Sequence, residues 1–317
     1  FVPVGMRPSV VRASRVDAPV RRLAGATMGT GWSLSFAAPD SVENSRVVAA
    51  LEETFALVIE EMSGWEPGSH LSRFNRADAG WRELPEEFFR VLTRALEIAA
   101  LTSGAYNPAL AARMDMLGFG PALDHQLGSA GWREIEIDIP NRRAFQPGGV
   151  ALDLSSIAKG HAVDLCAAGL RGLGIPSFLM EIGGEFVGEG VKPDAQPWWV
   201  ELELSDISPA PGEPRHTDVA LVGLAIATSG DFVRRREGVS HLLDGRTGTP
   251  LHGELSGVSV IHPSAMEADG WATALFALGA EQGMAAADAQ GLAAIFATRT
   301  VDGARSALSA KAREMLG

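Results

Sequence analysis

Asp269 and Thr273 stand four positions apart in the stretch 265–278, AMEADGWATALFAL. Ala and Leu dominate this stretch, no Pro interrupts it, and its apolar residues recur at helical spacing, so it is read as a helix. At i and i+4 a carboxylate and a hydroxyl lie on one face, one turn apart. A hard cation such as Mg²⁺ takes oxygen ligands, one or two of them from protein and the rest from phosphate and water. The pair therefore supplies half of such a site. Asp-x-x-x-Thr is also a common spacing, and by itself it does not separate a cation site from an ordinary helix face.

A second group lies in 152–164, LDLSSIAKGHAVD. Asp153 is placed at the end of a short apolar strand, Ser155 and Ser156 precede a helix, and Lys159 falls in its first turns. A helix N-terminus offers unpaired N–H groups and positive potential, which suits phosphate. The competing reading is plain helix capping by Ser155 or Asp153. In 180–186, MEIGGEF, the paired glycines allow either close approach of a ligand to backbone or a tight turn. Thr228, Ser229, Ser240 and His241 gather polar groups around glycine turns in 226–248. His241 is read either as a hydrogen-bonded residue or as a general base. In the loop 62–75, Trp65 either stacks on a flat ring or covers the core edge, and His70 faces solvent. No GxGxxG follows a strand, and there is no GxxxxGK[ST], HExxH or GxSxG, which removes support from dinucleotide, P-loop, zincin and hydrolase readings.

The elements that must position these residues follow from periodicity. Helices are expected over 41–61, 85–102, 157–173, 265–278, 281–290 and 304–316. Strands are expected over 25–37, 134–139 (with a hairpin at NRRAF), 178–182, 198–204, 219–228, 256–262 and 292–298. The stretches 62–77 and 205–217 read as loops, and 104–130 as irregular. Strands and helices mix without strict alternation, which predicts an α+β fold rather than a doubly wound sheet. Residues 1–22 read as an extended or poorly ordered arm, and 23–317 as one domain of mixed sheets and packed helices in two intimately associated lobes.

With 317 residues and 46% hydrophobic content the chain is long enough for a large core. Its net charge of −12 argues against a nucleic-acid partner. The single cysteine, Cys166, forbids an internal disulfide and reads as a small core residue. Residues 7–22 are basic but lack the apolar core of a secretion signal, and no apolar run has the length of a membrane span.

In this order, MGT at 28–30, MSGW…S…FN at 62–75, GAYNPAL at 104–110, LGFGP at 117–121, LDLSSIAKGHAVD, EIGGE, ATSGDF, SHLLDGRTGTP and ADGWATALFALG resemble the ApbE family of FAD:protein FMN transferases. The resemblance spans roughly residues 23–300. It implies an enzyme that binds FAD and Mg²⁺, cleaves the pyrophosphate, attaches FMN to a Thr or Ser hydroxyl of a partner protein and releases AMP. Related readings are an FAD pyrophosphatase giving FMN and AMP, and a non-catalytic FAD-binding protein. By the same resemblance, Asp269, Thr273 and the backbone carbonyl of Ser156 hold Mg²⁺. Met28, Trp65, Leu117, Gly118, Phe119, Asp153 and Lys159 contact FAD, and His241 lies beside the pyrophosphate as the base for the acceptor hydroxyl. The chain departs from the family pattern at Trp65 (usually Tyr), Asn107 (usually Asp), Glu185 (usually Asp) and Gly245 (usually Pro), and at Ser155 and Ser156 (often Gly or Ala). Family members are often periplasmic or anchored to the cell envelope.

Overall fold

The computed structural model describes residues 18–123, 131–214, 217–232, 235–236 and 238–316. Most of the stretch read as an N-terminal arm lies outside them, but strand β1 (Val20–Thr27) begins inside its last residues. The strand expected over 25–37 is a hairpin: β1 turns into β2 (Thr30–Ala37) through Met28 and Gly29, whose φ angles are 47° and 72°. Two central residues at positive φ match the twist of paired strands.

Helix α1 (Asn44–Met62) follows, and then a short helix α2 (His70–Asn75) inside the stretch read as loop. Strand β3 (Gly80–Glu83), helices α3 (Glu86–Leu101) and α4 (Ala111–Met116), and the expected hairpin β4 (Ile137–Asp138) and β5 (Arg143–Gln146) come next. Residues 151–154 join no ladder, which corrects the short strand expected there. Their backbone bonds to Ala111 N, Pro108 O and the Asn75 amide. Helix α5 (Ala158–Gly172), strands β6 (Ser177–Ile182) and β7 (Glu185–Glu189) and β8 (Trp198–Glu201) complete this part.

The strand expected over 219–228 is two strands, β9 (Asp218–Leu221) and β10 (Leu224–Gly230), separated by a turn with Gly223 at φ 68°. Small ribbons pair β11 (Arg235–Arg236) with β12 (Val239–Ser240), and β13 (Leu243–Asp244) with β14 (Thr249–Pro250). Strand β15 (Leu255–His262) leads to helix α6 (Ala265–Ala289), which is broken at Gly279, φ 80°. This gives the two helical segments expected from the sequence. The final expected helix is corrected: β16 (Ala293–Thr300) pairs with β17 (Gly303–Leu308), and only Ala310–Leu316 forms helix α7.

The main sheet has eight antiparallel strands in the order β1-β2-β6-β7-β10-β15-β16-β17. Side chains alternate across its faces, as strand geometry requires. Ala225, Ala227, Val258 and Val260 face the large core, with α5 and α6 packed on that side. Ile226 and Ile261 face a smaller core closed by Val200, Val219, Leu221 and Ala312 from β8, β9 and α7. With both faces covered, β15 is buried along almost its whole length. Helix α6 lies on β10 and β15 and touches α5 along its side, so the residues that could do chemistry sit where that pair of helices meets the sheet.

Candidate functional site

The N-terminus of α6 is fixed from three directions. Ser264 caps it, accepting from Glu267 N. Asp164 of α5 accepts from Ser264 Oγ at 2.6 Å, Ala265 N at 2.7 Å and Met266 N at 3.0 Å, placing a carboxylate at the positive end of the helix. Arg94 of α3 forms a forked pair with Glu267, at 2.7 and 2.8 Å. The first turns of α6 are thereby held rigidly, and these are the turns that carry Asp269.

Asp269 is 4% exposed, and its Oδ2 accepts from Gly160 N at 2.9 Å. Burial raises its pKa above the ordinary aspartate value, against the pull of the Lys159 charge and the Gly160 N–H. One turn on, the Thr273 hydroxyl shares a 2.9 Å hydrogen bond with Ser229 of β10. The neighbouring Thr228 instead bonds Ser259 at 2.6 Å, and Ser240 accepts from Leu242 N, so the polar group seen in 226–248 divides among separate partners.

The turn before α5 supplies the third side. Neither Ser155 nor Asp153 caps the helix, which corrects the capping reading: the position before α5 is Ile157, with no side-chain cap. Asp153 folds back on the loop, accepting from Ser155 N at 2.8 Å. Ser156 Oγ donates to the Tyr106 hydroxyl at 3.0 Å. Tyr106 is buried, and its pKa is pushed well above the ordinary tyrosine value by burial, with the charges of Asp269 and Asp153 adding to the effect. Lys159 points from the first turn of α5 to Glu185 at the start of β7, an ion pair of 2.5 Å. Glu185 is 3% exposed, and its Oε2 has no hydrogen-bond partner among the described residues. Burial drives its pKa up to about 8, opposed by Lys159 and reinforced by Asp269.

These donors suit a hard cation: the Asp269 carboxylate and the Thr273 hydroxyl lie one turn apart on α6, beside the start of α5 and the turn that carries the Ser156 carbonyl. Among the described residues no group of three or more His, Cys, Asp or Glu converges.

The remaining predicted residues flank this centre. Met28 sits half-buried in the β1–β2 turn and packs on the main core. That turn adjoins the Gly-Gly turn between β6 and β7: Gly183 N donates to Gly31 O, and a side chain at Gly183 would meet Thr30 at 2.9 Å. Trp65 is 64% exposed in its loop, which excludes the core-edge reading and leaves its ring open for stacking. Leu117 and Gly118 end α4, with Gly118 at φ 74°. Phe119 is buried and lies 6.2 Å, ring to ring, from His241. Strand β13, which begins just after His241, packs on α6.

Two asparagines that the sequence did not single out for roles stitch these loops together. Asn75 brackets Leu152, donating to its carbonyl at 2.9 Å and accepting from its N–H at 2.8 Å. Asn107 donates to Gly245 O and accepts from Ala109 N, both at 2.8 Å. Asn107 and Gly245 are both departures from the family pattern, and they are in direct contact. A Cβ at Gly245 would lie 2.4 Å from Gly104 O.

The ApbE family model matches residues 28–296. An FAD:protein FMN transferase of Vibrio cholerae is 30% identical, over 93% of this chain and 92% of the relative. One from Klebsiella pneumoniae is 29% identical, over 93% and 89%. Among solved structures, the apo form of the Pseudomonas stutzeri flavinyl transferase ApbE superposes with a TM-score of 0.83 at 30% identity, covering 94% of this chain and 97% of that one. The Vibrio cholerae flavin transferase ApbE gives 0.81 at 28% identity, covering 94% and 100%. With the family model matching most of the chain and a relative 30% identical over 93% of it, the chain belongs to the ApbE family.

Proposed function

We propose that the protein is a Mg²⁺-dependent FAD:protein FMN transferase, which moves FMN from FAD to a Thr or Ser hydroxyl of an acceptor protein. The observation that supports this reading is the buried Asp269 carboxylate held against the first turn of α5 by Gly160 N–H, with the Thr273 hydroxyl one turn on along α6. The names of the relatives supply FAD and a protein acceptor. The acceptor oxygen forms a bond to the FMN phosphorus, the bond from that phosphorus to the AMP oxygen breaks, and AMP leaves. Transfer of this kind needs positioning and charge neutralisation more than covalent help.

In this reading Asp269, Thr273 and the Ser156 carbonyl hold Mg²⁺, which neutralises charge on the diphosphate. Lys159 adds a positive charge at the start of α5, where the helix itself favours anions. Trp65 stacks on a flat ring of FAD, with Met28, Leu117, Gly118, Phe119 and Asp153 lining the rest. His241, its ring set by Phe119, takes the proton of the acceptor hydroxyl. A well-placed base contributes about 10²–10⁴ in rate. His241→Ala is therefore expected to bind FAD within about threefold of wild type, by flavin fluorescence, while single-turnover transfer slows by about 10² or more. Loss of FAD binding in that variant would make His241 a binding residue instead.

The test of the reading is product analysis after incubation with FAD, with and without Mg²⁺, and with and without a Thr-bearing acceptor peptide. FMN covalently on the peptide, with AMP released, is expected when Mg²⁺ is present. Free FMN and AMP in equal amounts without peptide would assign a pyrophosphatase. Intact FAD in every tube would refute both reactions.

A further inference from the structure

Residues 159 and 160 are neighbours in the first turn of α5, yet they serve different carboxylates. Gly160 N–H bonds Asp269 Oδ2 at 2.9 Å, while the Lys159 ammonium pairs with Glu185 Oε1 at 2.5 Å. Lys159 adjoins the Gly160 N–H that holds Asp269, so both carboxylates meet the same turn of α5. A lysine in this place is a competitor: an ammonium seated on Asp269 would occupy the position a divalent cation needs. Glu185 is almost wholly buried, and its other oxygen meets no hydrogen-bond donor among the described residues. A buried carboxylate in that condition is costly to keep for packing alone.

We propose that Glu185 is a positioning residue, which holds the Lys159 ammonium off Asp269 and so leaves the second Asp269 oxygen open to a cation. This rests on the metal site assigned above. The side-chain length matters: an aspartate one methylene shorter draws its carboxylate back toward the strand, away from the lysine. Glu185 thus acts through Lys159 and Asp269.

The test titrates Mg²⁺ alone into the FAD-free protein by calorimetry. Glu185→Gln releases Lys159 to seat on Asp269, and Mg²⁺ affinity is expected to fall about tenfold. Glu185→Asp should fall part of the way, which keeps the test valid if the glutamine variant folds poorly; melting without Mg²⁺ checks folding for each. The decisive chain is the double variant Glu185→Gln, Lys159→Met, which removes the competitor. Its Mg²⁺ affinity should return to within about threefold of wild type. A double variant as weak as Glu185→Gln would make Glu185 a direct source of cation affinity and overturn the inference, as would a Glu185→Gln chain that binds Mg²⁺ like wild type. If the wild type takes up no Mg²⁺ alone while its FAD turnover requires Mg²⁺, this inference falls and the transferase reading stands. If Mg²⁺ has no effect on FAD turnover, both fall.

Discussion

Asp269→Ala is expected to lower Mg²⁺-dependent FAD turnover by about 10³ or more, the cost of losing a group that neutralises charge during phosphoryl transfer. The same change removes the response of stability to Mg²⁺. A cation that binds the folded chain alone stabilises it by about 2.7 kcal/mol at a hundred times its Kd. Wild type should melt higher with Mg²⁺, and the variant should not. Asp269→Asn separates charge from contact, because an amide oxygen still accepts from Gly160 N–H. It is expected to fold normally and to be as inactive as the alanine variant. The pH dependence has a definite sign. Burial raises the pKa of Asp269, and that of Glu185 to about 8. The cation-free folded state therefore keeps protons that the unfolded chain releases. Its stability is lost as pH climbs from the ordinary carboxylate range through the raised values. Mg²⁺ should flatten that slope in wild type and leave it unchanged in Asp269→Asn. An Asp269→Ala chain with full activity, or one stabilised by Mg²⁺ like wild type, would remove the proposed metal site.

The parts of this site that were legible in the sequence are those in which local pattern and final environment agree. The Ala-rich, Pro-free stretch 265–278 is a helix both by propensity and by packing, so the common face of Asp269 and Thr273 could be read directly. The partners of that face could not. Ser229 meets Thr273, and Gly160 meets Asp269, from segments distant in sequence. Asn75 and Asn107 act as backbone surrogates between loops, a use that leaves no periodic trace. The β1–β2 hairpin was hidden because Met28-Gly29 lacks the Asn-Gly or Asp-Gly signal of such turns. Residues 303–308, GARSAL, read as helix because the adjoining residues 310–316 are rich in helix formers. Pairing with β16 overrides that preference, and Ser309, whose hydroxyl accepts from Ala312 N, starts the helix late.

Gly160→Ala is the change for which two ordinary rules oppose each other. Within a helix, alanine is preferred to glycine by about 1 kcal/mol, so an isolated α5 would gain. In the folded protein a Cβ at position 160 would lie 2.2 Å from Ala265 O and 2.7 Å from Asp269 Cβ. Neither neighbour is the mobile end of a side chain. Ala265 is backbone in the first turn of α6, held by Asp164 at 2.7 Å, and Asp269 is buried. The helices must separate, and overpacking of this kind costs about 1–3 kcal/mol or more, so the clash outweighs the propensity. The separation also pulls Asp269 away from the 153–159 turn. The variant is therefore expected to melt several degrees lower and to lose Mg²⁺-dependent turnover well beyond what its remaining folded fraction accounts for, since a misplacement of about 1 Å can cost 10²-fold. A Gly160→Ala chain with wild-type melting and turnover would mean that α5 and α6 have room to part without cost. The close approach at Gly160 would then not be what sets the position of Asp269.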